Sequence, residues 1–143
     1  MWIPRRFFRN LCAYSFAVVL AFGFLLGLLG SFALACVMLF GPLAVAAAQE
    51  GQSCAVRAQN YPDPTHMWQV ARDMAEVYLT FLVIGTALLA LSVGEIRLAL
   101  AESNILLIFS VFGVLTGIGF AVARWSYAFG VKLEMEHQDN NAG

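Results

Sequence analysis

Charge is the scarcest commodity in this sequence. Only 12% of its 143 residues are Asp, Glu, Lys or Arg, against 61% hydrophobic. A soluble domain carries about 25% charged residues, so the balance points to lipid as the solvent. Net charge is −1, and no run of like charges or basic stripe exists to hold a nucleic acid. Histidine occurs twice, at His66 and His137, and cysteine three times, at Cys12, Cys36 and Cys54. None of these has metal-ligand spacing, and an odd, scattered cysteine set is no disulfide framework. Glycine-rich phosphate loops, nucleophile elbows and metalloprotease helices are all missing. No catalytic, cofactor-binding or metal-ligating residue is therefore assigned, and an enzyme is not expected. Equally scarce are ionisable groups in the middle of the apolar runs. Such groups usually mark proton relays and transport paths, so their absence argues against a self-contained ion carrier. It also removes the axial histidines that a membrane-buried haem uses.

What is present is long and helical. Residues 11–48 contain no charge, and at 1.5 Å per residue they exceed the roughly 20 residues a span needs. One long, tilted helix is expected there, with a bend at Gly41-Pro42. Two shorter spans turning at Gly30-Ser31 would leave turn backbone groups facing lipid. A polar outer loop follows at 49–63. Asp63 can then cap a second helix with Pro64 in its first turn. Met67, Val70, Ala71, Met74, Val77, Tyr78 and Phe81 recur at helical spacing, so this helix is read from 64 to 101 with an amphipathic start. A short turn at 102–104, where Ser103 or Asn104 can cap, leads to a third helix over 105–137 and a disordered tail at 138–143. If helices two and three mirror each other about residue 102, Asp73 lies level with Lys132 and His66 with His137.

The fold class expected is thus an all-α integral membrane protein of three long transmembrane helices, N-terminus in and C-terminus out, with helix ends projecting beyond the membrane. Arg5, Arg6 and Arg9 form a basic cytoplasmic N-terminus over residues 1–10. With Trp68, Arg124, Trp125 and Tyr127 they are the candidate membrane-interface anchors, Arg124 snorkelling towards headgroups. "PRRFF", Pro4 to Phe8, has the letters of a twin-arginine signal, but the apolar run behind it is too long for that route.

Small residues make the most informative pattern. Gly23, Gly27, Ser31 and Ala35 recur every fourth position, as do Gly113, Gly117 and Ala121. Membrane helices associate by close packing, and such stripes let backbones approach. One stripe is expected to face inward and the other a partner subunit.

"GPLAVAAAQEGQ", Gly41 to Gln52, also reads as a signal-peptidase site, with Ala46 and Ala48 ahead of Gln49. The layout resembles that of conjugative (type IV secretion) pilin precursors: a long leader, a small-residue cleavage site, then two apolar helices joined by a short polar turn. That resemblance implies residues 1–48 as leader and a polymer-forming mature chain starting at Gln49. Ordinary signal peptides have apolar cores of about 7–15 residues, which favours a retained helix instead. The expectation is a non-catalytic multi-pass subunit that helps assemble a larger complex in a bacterial inner membrane or an equivalent organelle membrane. Its partners would be lipids and other integral membrane subunits, with no nucleic acid, small-molecule substrate or cofactor. A pilin-like subunit and a small pore- or carrier-forming homo-oligomer lined by Ser and Thr hydroxyls are the alternatives.

Overall fold

The structure is a computed structural model. It describes the backbone of residues 4–29, 32–58 and 62–142, and their side chains apart from 21–29, 32–34, 139, 141 and 142. Five helices make up these residues: α1 (Pro4–Leu29), α2 (Phe32–Ala58), α3 (Pro64–Ser92), α4 (Gly94–Glu102) and α5 (Ile105–Ala142).

The stretch expected as one helix over 11–48 belongs to two. α1 and α2 run antiparallel, and the Arg6 guanidinium near the start of α1 meets Glu50 near the end of α2. Residues 30 and 31, where the two-span alternative places its turn, lie outside the described residues. Apolar sequence alone does not distinguish one helix from two. The gain in folding back is burial: Phe7 and Leu11 are fully covered, as are Leu43, Ala46 and Ala47 of α2, each such side chain contributing up to a few kcal/mol.

Residues 49–58, expected in an outer loop, continue α2. Alanine, glutamine and glutamate carry high helix propensity. Gly51 and Ala55 bring one face of this stretch into the core, and Arg57 in the last turn suits the helix dipole. Pro42 is tolerated inside α2, buried against the bundle. α3 begins as its sequence indicates: Asp63 Oδ1 accepts from the Thr65 N–H at 3.4 Å, with Pro64 in the first turn. Its continuity to 101 is interrupted. Val93 adopts an extended conformation (φ −121°, ψ 109°), and α4 sets off afresh from Gly94. Asn104, not Ser103, caps α5, its Oδ1 accepting from the Leu106 N–H at 2.9 Å. Residues 138–142, expected as disordered, extend α5 to Ala142.

α2 and α5 run parallel. A Cβ added at Gly119 would meet Leu43, and one at Gly130 would meet Ala48 further along both helices. α3 lies antiparallel, with Trp68 packed against Phe120 and Tyr78 against Gly119. Because α4 travels between α3 and α5 instead of extending α3, this pairing is displaced from the mirror expected about residue 102. Trp68 is opposite Phe120, so Lys132 lies beyond Asp73, towards the start of α3. The N-terminal turns of α1, the end of α2, the start of α3 and the last turns of α5 share one end of the bundle. The described N- and C-terminal turns therefore lie at the same end of the bundle, an outcome set by the α1–α2 reversal.

Candidate functional site

The molecule divides into a packed head and an open apolar half. The head is built where α2 crosses α5 on small residues. A Cβ at Gly51 would strike the Tyr127 carbonyl, and one at Gly130 would strike the Ala48 carbonyl. Only glycine lets these backbones come so close, the arrangement that favours association of membrane helices. Around that crossing Phe7, Leu11, Met74, Tyr78 and Val131 are fully buried.

One polar cluster lies within the head. The Glu50 side chain is 6% exposed and its Oε1 is 3.4 Å from Arg6 Nε, while Arg6 also donates to Ser53 Oγ at 3.1 Å. The Glu50 Oε1 makes no hydrogen bond of good geometry, so the guanidinium is its compensation by charge. Tyr127 lies on the facing helix. Burial, ahead of the neighbouring Cys54 and Glu50, pushes its phenol well above the ordinary tyrosine range, so it stays neutral. Tyr78, deeper in the bundle, donates its hydroxyl to the Leu39 carbonyl at 3.3 Å.

At the rim of the head the Arg124 guanidinium lies 4.0 Å from the Trp68 ring centroid, and the Trp68 ring lies tilted against Phe120 with centroids 5.4 Å apart. Trp125 is 77% exposed beside Phe129. These aromatic and cationic groups gather at the rim of the head. Tyr127, grouped with them from sequence, is instead buried at 2%, since it points across the α2–α5 contact. Arg5 and Arg9 are exposed, and Arg6 is tied to Glu50.

Beyond that rim the chain opens. α3 and residues 105–138 of α5 are each long and apolar enough to cross a membrane, and only 22% and 6% of their apolar windows are buried. The core helix of a soluble protein would show the reverse. Leu88, Leu91, Leu106, Phe109 and Val114 all face outward. Of the small-residue stripes, Gly113, Gly117 and Ala121 are exposed, and nothing lies within 4 Å of a Cβ added at Gly113 or Gly117. Ala35 is half-buried on α2 and Gly23 and Gly27 belong to the α1 backbone; Ser31 lies outside the described residues. The glycines that do hold helices together, Gly51, Gly119 and Gly130, escape the four-residue stripe. Ala44, Ala48, Gly51 and Ala55 on α2 with Ala123, Ser126 and Gly130 on α5 form the legible signal, mixed three- and four-residue spacings that follow one helical face. Reading 49–63 as loop hides it.

A cleft of about 660 Å³ opens between α3 and α5 in the apolar half, with Leu100 of α4 also in its lining. Val83, Phe109, Phe112 and Gly113 are among its walls, with Thr86 and Thr116 the only hydroxyls. The Thr116 hydroxyl is taken up by the Phe112 carbonyl at 2.7 Å, and that of Ser110 by Leu106 at 2.8 Å. Among the described residues no three His, Cys, Asp or Glu side chains stand together as metal ligands. No family model, no curated protein and no solved structure matches this chain.

Proposed function

We propose that this protein is a non-catalytic membrane subunit that docks on a larger integral-membrane assembly through its open half while its head rests outside the bilayer. The observation that carries this reading is the contrast along α5: Gly119 and Gly130 are consumed by internal contacts, whereas a Cβ at Gly113 or Gly117 meets none of the described residues within 4 Å. A stripe that is not needed for folding is suited to another helix.

The bilayer position follows from the charges. From Ile105 to Ala123, α5 carries no ionisable residue, a rise of about 28 Å that matches a hydrocarbon core. Arg124, Trp125 and Trp68 then mark one interface and the α4 end the other. Seven of the eight Lys and Arg residues (Arg5, Arg6, Arg9, Arg57, Arg72, Arg124 and Lys132) lie at the head end, and Arg97 alone at the other. The positive-inside rule accordingly puts the head, and both ends of the chain, in the cytoplasm.

Both alternatives fare less well. Cleavage before Gln49 would cut through the middle of α2 and remove Phe7, Leu11, Leu43, Ala46 and Ala47 from the core. Of the hydroxyls that could line a pore, Thr80, Thr86, Ser110 and Thr116, three bond to their own helix carbonyls. Extraction in a mild detergent, followed by sizing and identification of co-purifying proteins, tests the docking. A stoichiometric membrane companion that is lost in Gly113→Leu or Gly117→Leu supports it. A chain that runs alone, with its mass beginning at Gln49, overturns it in favour of the secreted reading.

A further inference from the structure

We infer that the helix seated on Gly113 and Gly117 carries a carboxylate that pairs with Arg124: the partner is a transmembrane helix of another protein, with an Asp or Glu at the edge of its hydrocarbon span. This deepens the docking reading above and rests on it.

Arg124 is the first ionisable residue of α5 after the uncharged stretch from Ile105 to Ala123, so on that reading it stands at the edge of the hydrocarbon core. Among the described residues its guanidinium meets an aromatic ring and no carboxylate. It lies over Trp68, 4.0 Å from the ring centroid, whereas the ion pairs join Arg6 to Glu50, Arg72 to Glu76 and Lys132 to Glu136. A cation–π contact occupies none of the five N–H donors of an arginine. The fork that holds a carboxylate by two parallel hydrogen bonds is therefore open. Beside it is a hollow of about 350 Å³, bounded by Met67, Phe120, Ala121 and Trp125.

Helical register brings the small residues and the charge together. Arg124 is 11 residues beyond Gly113 and seven beyond Gly117. Eleven residues are close to three turns, so Arg124 stands almost directly above Gly113, about 16 Å along the axis. A seven-residue step also stays on one seam between helices that cross at about 20°. A helix that spans the core and packs on the two glycines consequently runs past Ala121 and covers Arg124. Covered by apolar side chains alone, the guanidinium would lose water and gain no partner, which is strongly unfavourable. A carboxylate about three turns from the residue seated on Gly113 removes that penalty. A second copy of this chain does not supply it, because two α5 helices side by side in one orientation set Arg124 against Arg124. A lipid phosphate suits Arg124 only where no helix occupies the stripe.

The test uses the full chain in its native membranes. Arg124→Lys places an amine at this level, and dicyclohexylcarbodiimide condenses an amine with a touching carboxylate into an amide, the water being taken up as the urea. Peptide mass spectrometry of the product is expected to map the bond to an Asp or Glu flanking an apolar span of another protein. Adding Gly117→Leu to that variant should abolish the product. In mild detergent, Arg124→Gln should lower retention of the same companion about tenfold, and Arg124→Glu should lower it further. Exchanging the mapped carboxylate for lysine should restore retention by the Arg124→Glu variant. Arg124 is exposed, and circular dichroism would verify that the helices persist in each variant. A companion lost in Gly113→Leu but kept in Arg124→Gln overturns the inference, leaves the docking reading standing and gives Arg124 to lipid phosphate. A crosslink to a carboxylate of a second copy of this chain overturns it equally. Absence of any companion from the unaltered protein overturns both readings.

Discussion

The Arg6 guanidinium donates to Ser53 Oγ at 3.1 Å and stands 3.4 Å from Glu50 Oε1. Along one continuous helix Arg6 and Ser53 would be about 70 Å apart. Their contact requires the chain to double back between them, and so sets which ends of the molecule face the same side. Cysteines at positions 6 and 53, introduced by Arg6→Cys and Ser53→Cys in a background lacking the native cysteines, should crosslink within one chain with short reagents. Crosslinks found only between chains, or none at any reagent length, would discard the α1–α2 reversal.

The pair also predicts an energy. Glu50 is buried but Arg6 is partly exposed to solvent, so the attraction is screened on one side. A double-mutant cycle of Arg6→Gln and Glu50→Gln should give a coupling of about 1 kcal/mol. Glu50→Gln alone should cost about 1–3 kcal/mol, since the arginine loses its charge partner beside a buried amide. Unfolding by denaturant titration in detergent micelles measures both.

The glycines should separate into two classes. Gly51→Leu and Gly130→Leu force a side chain into the backbone of the facing helix, and a loss of about 3 kcal/mol or more, seen as poor yield and early melting, is expected. Gly113→Leu and Gly117→Leu enter open space and should leave melting unchanged while weakening docking. Equal effects in the four variants would remove the distinction between folding and docking glycines.

Sidedness can be read directly. With a cysteine replacing Glu102 or Asn140, both exposed, an impermeant maleimide applied to intact cells should label the first and leave the second until the cells are opened. Labelling of both from outside, or the reverse order, contradicts a cytoplasmic head.

Tyr127 supplies a pH dependence. Its phenol is held above the ordinary value of about 10. Folding therefore favours the protonated form. The resulting stability is fully present below that value and declines at higher pH as the unfolded chain releases the proton the folded chain keeps. Tyr127→Phe should remove part of this alkaline decline. Tyrosinate absorbance should also lose one late-titrating group in Tyr127→Phe; loss of a normally titrating group instead would contradict the burial.

Composition and periodicity were enough to show an all-helical chain, the Asp63-Pro64 start of α3, the turn before Ile105 and the apolar reach of α3 and α5, because capping and hydrophobic length are local properties. The rest was decided by contacts between segments far apart in sequence. Nothing in residues 11–48 tells one helix from two, since every apolar residue is equally at home in lipid on either path. What selects the reversal is a polar contact at one end, Arg6 with Glu50, together with the close approach of Ala48 and Gly51 to α5. The same holds for the glycines. Spacing shows where a helix surface is flat, but only the facing helix determines whether, as at Gly130, the flat place is filled or, as at Gly117, it is left open.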